Sequence, residues 1–459
     1  MKKINILAVL CLALSALTLS SCLKDQDDLF EESASKRLTT YLGDVQTALV
    51  DAEYGWALSY FPDRNQSYGG YNYALRFSND YVSAQFELAD DPTEAIVSTY
   101  KLCNEDGPCI MFDTYNDYLH FFTTPSGSSG PGGYEAYDGD NLLIVMGIED
   151  DGNTIRLKGA RSGNVMYMHK LTMTTDAYLD SLLSVSDNMK YKKYTYEKVY
   201  ADRQIEVNGK TITFDDTVTV NVKVTDQRVF EFSYSRYEVV DGKLSVVDYS
   251  ATASGIFGLD GLRFYEPVEV LDDTFEGFDP HMNADGTYST LGSVVKMDYI
   301  LPTPAEQLVE GQWYISYSGF GAFGQAYMDS LKNISQVLAG NETLNWGLIG
   351  NSIYTDGQFA FSFNSGGYTG SMNFAYQTNT AGTLIGMMFD GSTEGNGKWY
   401  MTNAKYRYAI APFGYGVARY FRITLDDPIS PTTIVLTDLN EPTNVIKLSA
   451  SYISDPLNN

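Results

Sequence analysis

The chain has 459 residues, enough for two or three domains, and 58 acidic against 31 basic side chains give it a net charge of −27 at neutral pH. Such a balance excludes the class of proteins that bind nucleic acid through a basic face, and it argues against anionic lipid as a ligand. Acidic chains are common among exported proteins, and carboxylate clusters leave calcium possible as a ligand.

The start of the chain has the pattern of an export signal. Two lysines precede an apolar run from Ile4 to Leu19, which is shorter than the roughly 20 residues needed to cross a bilayer. Two serines and then Cys22 end the run, so residues 1–21 are predicted to be a signal peptide. The pattern resembles a bacterial lipobox, which implies that Cys22 is lipidated and holds the chain on a membrane.

An acidic segment follows the predicted lipidation site. Residues 22–32 include Asp25, Asp27 and Asp28 and are predicted to be a polar tether. The segment is similar to the export tag of Bacteroidetes lipoproteins, which implies an outer-membrane location facing the cell exterior; the periplasmic face is the alternative. An ordinary signal peptide with a chance cysteine is the alternative to lipidation.

Residues 33–172 are predicted to form an N-terminal helix followed by an antiparallel β module. Apolar residues recur at helical spacing between Ser33 and about Asp51. From Gly55 the period changes to two, and short strand-like runs alternate with turn residues, which favours a barrel or a sandwich. One of the predicted strands covers Tyr118–Phe122.

Two of the four cysteines are left for the folded chain. Cys11 leaves with the signal peptide, and Cys22 is the lipidation site. Cys103 and Cys109 flank an Asn-Glu-Asp-Gly-Pro turn between two strand-like runs, which is typical of a hairpin. Because the predicted compartment is oxidising, we expect a disulfide between Cys103 and Cys109. A zinc pair would need two more soft ligands, and none has a suitable spacing.

Residues 173–302 are predicted to form a second β-rich module. A helical pattern opens it, and Val218–Val224 then alternates strictly between apolar and polar side chains. Two prolines in Leu301–Pro304 favour an extended linker, so residues 303–459 are predicted to be a C-terminal β module with one helix. The fold class is therefore mainly β, with two or three antiparallel barrel or sandwich modules and short connecting helices.

A short motif occurs at the start of two of these modules. Trp56–Tyr60 and Trp313–Tyr317 share the pattern W-x-[L/I]-S-Y, and each follows a helix-like segment and a glycine. The similarity indicates a weak internal repeat of one module.

No motif predicts catalysis. Gly319–Gly324 matches G-x-G-x-x-G between a strand and a helix, but β-rich sequence follows where a dinucleotide-binding βαβ unit is required. The chain has neither a G-x-S-x-G nor an H-E-x-x-H motif, so His120, His169 and His281 are predicted to be structural. The oxygen-rich run from Asp279 to Gly286 departs from a calcium loop and predicts a turn. We predict no enzyme, no cofactor and no metal.

Several segments resemble a family of Bacteroidetes outer-membrane lipoproteins known as a domain of unknown function (family 4302). The resemblance covers about the first 170 residues well and the remainder loosely. It depends on Phe30–Leu38, Gly55-Trp56, Tyr60, Gly69–Tyr71, Phe77, Ser98, Tyr100, Phe112–Asn116, Leu119-His120 and Leu157–Gly159. It implies an accessory lipoprotein beside TonB-dependent transporters, and it transfers no catalytic residue.

The function predicted from the sequence is capture of a glycan or a peptide at the cell surface for an uptake system. Trp346, Tyr354, Trp399 and Tyr415 lie in segments rich in Gly and Asn, so they are expected to stack on the ligand; core packing is the alternative for each. A secreted hydrolase with an unidentified carboxylate pair and a structural or adhesion lipoprotein are the alternative functions.

Overall fold

The structure, a computed structural model, describes residues 33–105, 107–125, 135–338, 343–351, 358–391 and 395–459, without the side chains of residues 34 and 333–338. The signal peptide, Cys22, the tether and Tyr354 lie outside the described residues. Three antiparallel sheets joined by short helices confirm the mainly β fold class. In the described part of the chain, no helix combines the length and the apolar character needed to span a membrane.

The first module contains one helix and nine strands. Its elements are α1 (Ala34–Val50), β1 (Trp56–Tyr60), β2 (Tyr71–Phe77), β3 (Tyr81–Phe86), β4 (Ile96–Thr99), β5 (Lys101–Asn104), β6 (Pro108–Met111), β7 (Leu142–Glu149), β8 (Thr154–Gly159) and β9 (Val165–Lys170). The sheet order is β4-β3-β2-β1-β9-β8-β7-β6-β5. Only Tyr100 separates the outermost strands β4 and β5, so the chain itself joins the two ends of a barrel-like sheet.

The predicted strand Tyr118–Phe122 is wrong, because this segment consists of turns. The Asn116 side chain accepts hydrogen bonds from the N–H groups of Tyr118 (3.0 Å) and Leu119 (3.2 Å). These bonds cap a turn in which Leu119 and Phe122, three residues apart, are buried in the core. A run of apolar residues does not by itself distinguish this spacing from the alternation of a strand.

The second module contains one helix and eight strands. Its elements are α2 (Thr175–Ser186), β10 (Lys193–Val207), β11 (Lys210–Val224), β12 (Val229–Val240), β13 (Lys243–Gly258), β14 (Gly261–Val270), β15 (Asp273–Asp279), β16 (Tyr288–Gly292) and β17 (Lys296–Tyr299). The strands close a barrel in sequence order, with β17 paired to β10. Alternate residues of β11 are buried as predicted, from Val218 to Val224.

Two long hairpins extend beyond this barrel. Strands β11 and β12 pair only over residues 220–224 and 230–234, whereas the β10–β11 and β12–β13 ladders continue to their turns. The turns are Asn208-Gly209 and Asp241-Gly242, and all four residues have positive φ between 50° and 74°. Two central residues with positive φ are what a two-residue hairpin turn requires, which explains these Asn-Gly and Asp-Gly pairs.

The described residues of the third module form four α-helices and eight strands. Its elements are α3 (Pro304–Glu310), β18 (Gln312–Tyr314), α4 (Ala322–Leu338), β19 (Leu344–Gly350), β20 (Ala360–Ser365), β21 (Tyr368–Thr378), β22 (Leu384–Phe389), α5 (Gly395–Thr402), α6 (Arg407–Gly414), β23 (Arg419–Leu425), β24 (Thr433–Asp438) and β25 (Val445–Ser449). The strands again close a barrel in sequence order.

The expectation of one helix in this module is wrong. Helix α5 begins with Gly-Asn-Gly and helix α6 contains Pro412, so both have poor intrinsic helix propensity. Packing stabilises them instead. A Cβ atom at Gly397 would lie 2.1 Å from the carbonyl oxygen of Ser371, so the glycine allows α5 to approach β21, and Tyr400 is buried in the core.

Trp56 and Trp313 occupy matching places in the first and third modules. Each follows a helix, lies at or next to the start of the first strand of its sheet and is buried. The Trp56 indole donates to the carbonyl of Leu49 (3.1 Å), and the Trp313 indole donates to that of Gln307 (2.9 Å). In both modules this first strand pairs with the second and with the last. The repeated motif therefore marks the same junction of helix and strand.

A buried ion pair joins the first two modules. Arg228, in the turn between β11 and β12, donates to the Glu87 carboxylate (2.8 Å) and to the carbonyl of Gly70 (2.9 Å). The Glu87 side chain is 0% exposed and that of Arg228 is 13% exposed. The guanidinium lies over the rings of Tyr71 (4.8 Å) and Phe257 (4.6 Å). One cation thus contacts both modules.

Other polar contacts fix the arrangement of the modules. The Asn72 amide donates to the carbonyl of Phe257 (2.9 Å), and the Tyr178 hydroxyl donates to the amide oxygen of Asn72 (3.1 Å). Lys193 of the second module pairs with Glu306 of the third (2.8 Å). These contacts fix the first module against the second, and the second module against the third.

Candidate functional site

Three of the aromatic residues predicted to bind ligand are described by the structure, and they lie apart from the cavities between the first two modules. Trp346 is half-buried in β19. Trp399 (48% exposed) contacts Tyr400, whereas Tyr415 (41% exposed) contacts Phe389. All three belong to the third module, and Trp399 and Tyr415 have different ring partners.

Two adjoining cavities lie between the first and second modules, and together we call them the inter-module groove. Cavity A has a volume of about 320 Å³, and cavity B has a volume of about 390 Å³. Both cavities are lined by Ser59 of β1, His169 of β9 and Ile256 of β13, so these residues stand where the two meet. Volumes of this size are typical of small-molecule sites.

One wall of the groove is the outer face of β9. Met166 and Met168 point into the core, whereas Val165, Tyr167 and His169 alternate with them and are exposed. The rings of Tyr167 and His169 stack with centroids 6.0 Å apart. This face presents an aromatic surface to cavity B, and His169 extends it to cavity A.

The opposite wall is built by β13 and β14 of the second module. Phe264, Tyr265 and Glu266 line cavity B, and Arg263 lines cavity A. The Tyr265 hydroxyl accepts a hydrogen bond from the N–H of Val165 (2.9 Å), so the two walls are bonded directly. Tyr265 also contacts Phe61 of the first module, with ring centroids 4.8 Å apart.

Arg156 and His169 have fixed partners within the protein. Arg156, in cavity B, pairs with Glu149 (2.9 Å), and the His169 Nδ1 atom lies 3.2 Å from the Thr154 hydroxyl. Tyr178 lines cavity A, where burial and then the charge of Glu87 raise its pKa. Its hydroxyl therefore stays neutral and can donate hydrogen bonds.

The remaining motifs are explained by local packing. Cβ atoms at Gly319 and Gly321 would lie 2.4 Å and 2.5 Å from the carbonyl oxygens of Lys447 and Thr443, so these glycines allow the loop to contact the segment around β25. Among the described residues, no group of three or more His, Cys, Asp or Glu side chains is placed to hold a metal ion.

The histidines and the cysteines have local partners. His120 lies in the turn segment rather than in a strand, and the Nδ1 atom of His281 contacts Asp279 (2.9 Å). Cys103 and Cys109 face each other across β5 and β6 with Cα atoms 5.0 Å apart, and they form a disulfide.

Sequence reasoning did not identify the inter-module groove. Its residues come from strands that are distant in the chain, such as Ser59, Tyr167 and Tyr265. One signal was present: the run Val165–His169 is apolar or aromatic at consecutive positions, so the outer face of this strand is apolar and aromatic as well as the inner one, which is typical of an interaction surface.

Comparison with known proteins gives a family but no activity. A model described as "Domain of unknown function (DUF4302)" matches residues 26–282, a range that contains every residue lining the groove and none of the four aromatic residues predicted from the sequence. No curated protein matches.

Two solved structures show a weak similarity. The beta subunit from DNA polymerase of Streptococcus pyogenes is 11% identical, with 91% of this chain and 98% of that chain covered and a TM-score of 0.12. The DNA polymerase III beta subunit from Thermotoga maritima is 9% identical, with the same coverage and a TM-score of 0.10. TM-scores this low support no argument about fold or function.

Proposed function

The chain belongs to the DUF4302 family of domains of unknown function, and on that premise we propose that it captures a glycan in the inter-module groove. The observation that carries the proposal is the groove itself, whose lining residues all lie within the range 26–282 that the family match covers. Ligand pockets are commonly found at such junctions between domains.

The first-module wall of the groove favours a glycan over a peptide. Strand β1 pairs with β2 and β9, and β9 pairs with β1 and β8, so the backbone on this side is already hydrogen-bonded. A peptide that binds as an added strand needs a free edge, which this wall does not offer. Tyr167 and Tyr265 offer ring faces, and Arg156, His169 and Glu266 offer planar polar groups at their margins. This combination suits sugar rings, which are apolar on a face and polar at the rim.

The carboxylates of the groove support binding rather than hydrolysis. Glu266 is the one acidic residue among those that line the two cavities. A glycosidase of the common type places two carboxylates on either side of the scissile bond, about 5–9.5 Å apart. The groove therefore has the surface for a sugar and lacks the pair that would cleave it, which favours capture over a hydrolase.

We also propose that capture takes place on a lipid-anchored chain at the outer membrane, beside a TonB-dependent transporter. The support is the sequence of residues 1–28 and the resemblance described above. Palmitate labelling of the wild-type chain and of Cys22→Ser tests the anchor. Label on the variant, or its absence from both, would contradict lipidation at Cys22.

A glycan array probed with the full chain tests whether it captures a glycan, and Tyr167→Ala tests whether the glycan binds in the inter-module groove. Loss of one aromatic contact, worth about 0.5–1.5 kcal/mol, is expected to lower affinity about 2- to 12-fold. Trp399→Ala is the matched control, because it removes an exposed ring from the third module. If only Trp399→Ala lowered the affinity, the binding site would lie in the third module instead. Binding of peptides without any glycan would replace the proposal by peptide capture.

A further inference from the structure

The charges of cavity A identify a class of glycan. We infer that cavity A holds an anionic group, a carboxylate or a sulfate, of the captured oligosaccharide; this inference rests on the proposed function. Apart from the phenol of Tyr178, the titratable residues that line cavity A are His169, Lys170 and Arg263. All three are basic, in a chain where acidic residues outnumber basic ones by 58 to 31.

The acidic neighbours of cavity A lie outside its lining. Arg263 pairs with Asp260 (2.5 Å) and lies 3.8 Å from Glu276, and neither acid lines the cavity. The Arg263 side chain is 44% exposed, so part of its guanidinium is open to a second partner. A guanidinium has five N–H donors in a planar fork, so it can bind a second anion beside the first.

Lys170 also has donors to offer. Among the ion pairs found in the described part of the chain, none involves Lys170, which is half-buried at the end of β9. The Thr154 hydroxyl donates to Asp150 (2.7 Å), so it accepts from the Nδ1–H of His169, and Nε2 of the neutral imidazole is an acceptor. Charge-assisted hydrogen bonds to an ammonium group are about twice as strong as neutral ones.

Cavity B has a different character. Arg156 is already paired with Glu149, and Glu266 adds a carboxylate to the lining. An anion there would meet this carboxylate, whereas a neutral ring would meet the faces of Tyr167 and Tyr265. The two cavities therefore suit different parts of the ligand: an anionic sugar in cavity A and a neutral ring in cavity B.

Calorimetry with three matched probes tests the inference on the full chain. The probes are a neutral oligosaccharide, a uronate oligosaccharide of the same length and its sulfated counterpart. We expect one of the anionic probes to bind at least about tenfold more tightly than the neutral one, since hydrogen bonds to charged groups are worth about 1.5–3 kcal/mol. The two anionic probes distinguish carboxylate from sulfate as the source of the charge.

Two variants place the effect in cavity A. Lys170→Gln and Arg263→Gln are each expected to remove most of the preference for the anionic probe while leaving the neutral probe bound, which also shows that the variant is folded. Lys243→Gln is the control. It also removes one positive charge, but Lys243 begins β13 at the tip of the second long hairpin, whereas the groove lies at the other end of that strand.

The outcomes separate this inference from the proposed function. Equal affinity for neutral and anionic probes, or an anionic preference that both variants retain, would overturn the assignment of cavity A and leave glycan capture standing. Binding of none of the three probes, together with a blank glycan array, would overturn glycan capture itself.

Discussion

Replacing Arg228 by methionine should destabilise the first two modules. The substitution leaves the Glu87 carboxylate fully buried without its cation, while the methionine side chain still fills space between Tyr71 and Phe257. Removing one partner of a buried pair typically costs about 3–5 kcal/mol. Glu87 keeps one hydrogen bond, from the N–H of Asn72 (2.7 Å), so we expect the low end, about 3 kcal/mol.

Hydrogen exchange followed by mass spectrometry suits this test because it reads each module separately. Peptides from β2 and β12 should lose about 3 kcal/mol of protection in Arg228→Met, whereas peptides from the third barrel should change little. Lys223→Met is the matched control, because Lys223 and Glu231 form an exposed pair at 4.0 Å, of a kind worth about 1 kcal/mol or less.

A double variant gives the decisive comparison. In Arg228→Met with Glu87→Gln, the uncompensated charge is gone, so much of the lost stability should return. The reasoning fails if Arg228→Met has no larger effect than Lys223→Met, or if the double variant is no more stable than Arg228→Met alone.

Two further predictions concern pH and the disulfide. Burial opposes ionisation of Glu306, but hydrogen bonds from Lys193 and Thr303 outweigh it and lower the pKa of Glu306; its stabilisation is therefore present above the unfolded pKa of about 4.3 and is lost as pH falls through the folded value. In urea unfolding, Glu306→Gln should be less stable than wild type at pH 7 by up to about 1 kcal/mol, and the difference should vanish at the lowest pH. A difference that stays constant with pH would contradict this reasoning, and Glu310→Gln is the control. Replacing Cys103 and Cys109 by serine should cost about 2 kcal/mol, since the closed loop is short, and reductant should destabilise the wild type but not the variant.

Much of the fold follows from local pattern. Strict alternation in Val218–Val224 and the Asn-Gly and Asp-Gly pairs predict strands and tight hairpins because the side-chain period and the turn dihedrals are local properties. Local pattern fails where packing or capping decides. Helix α5 forms against its propensity because Gly397 permits close contact with β21, and Asn116 turns an apolar run away from a strand.

The candidate site was harder to predict from the sequence. Glycine-rich neighbours predict loops around the candidate aromatic residues, yet Trp346 lies in a strand and Trp399 in a helix. The groove depends on which outer strand faces meet, and that is set by long-range contacts such as the hydrogen bond from Asn72 to Phe257, 185 residues apart. The consecutive apolar and aromatic residues of Val165–His169 show that the outer face of this strand is apolar, but they do not show which strand lies opposite it.

The tryptophan junctions have a consequence for how such a chain can grow. A unit with such a junction begins with its own helix, which one indole anchors, and its last strand pairs with its first. It can therefore be duplicated as a whole, because its terminal strands are already paired within the unit. Mutation can then act on the borders between copies while each interior stays intact. New recognition surfaces in proteins of this architecture should therefore arise where one unit abuts the next, and comparison of close relatives would show variation concentrated there.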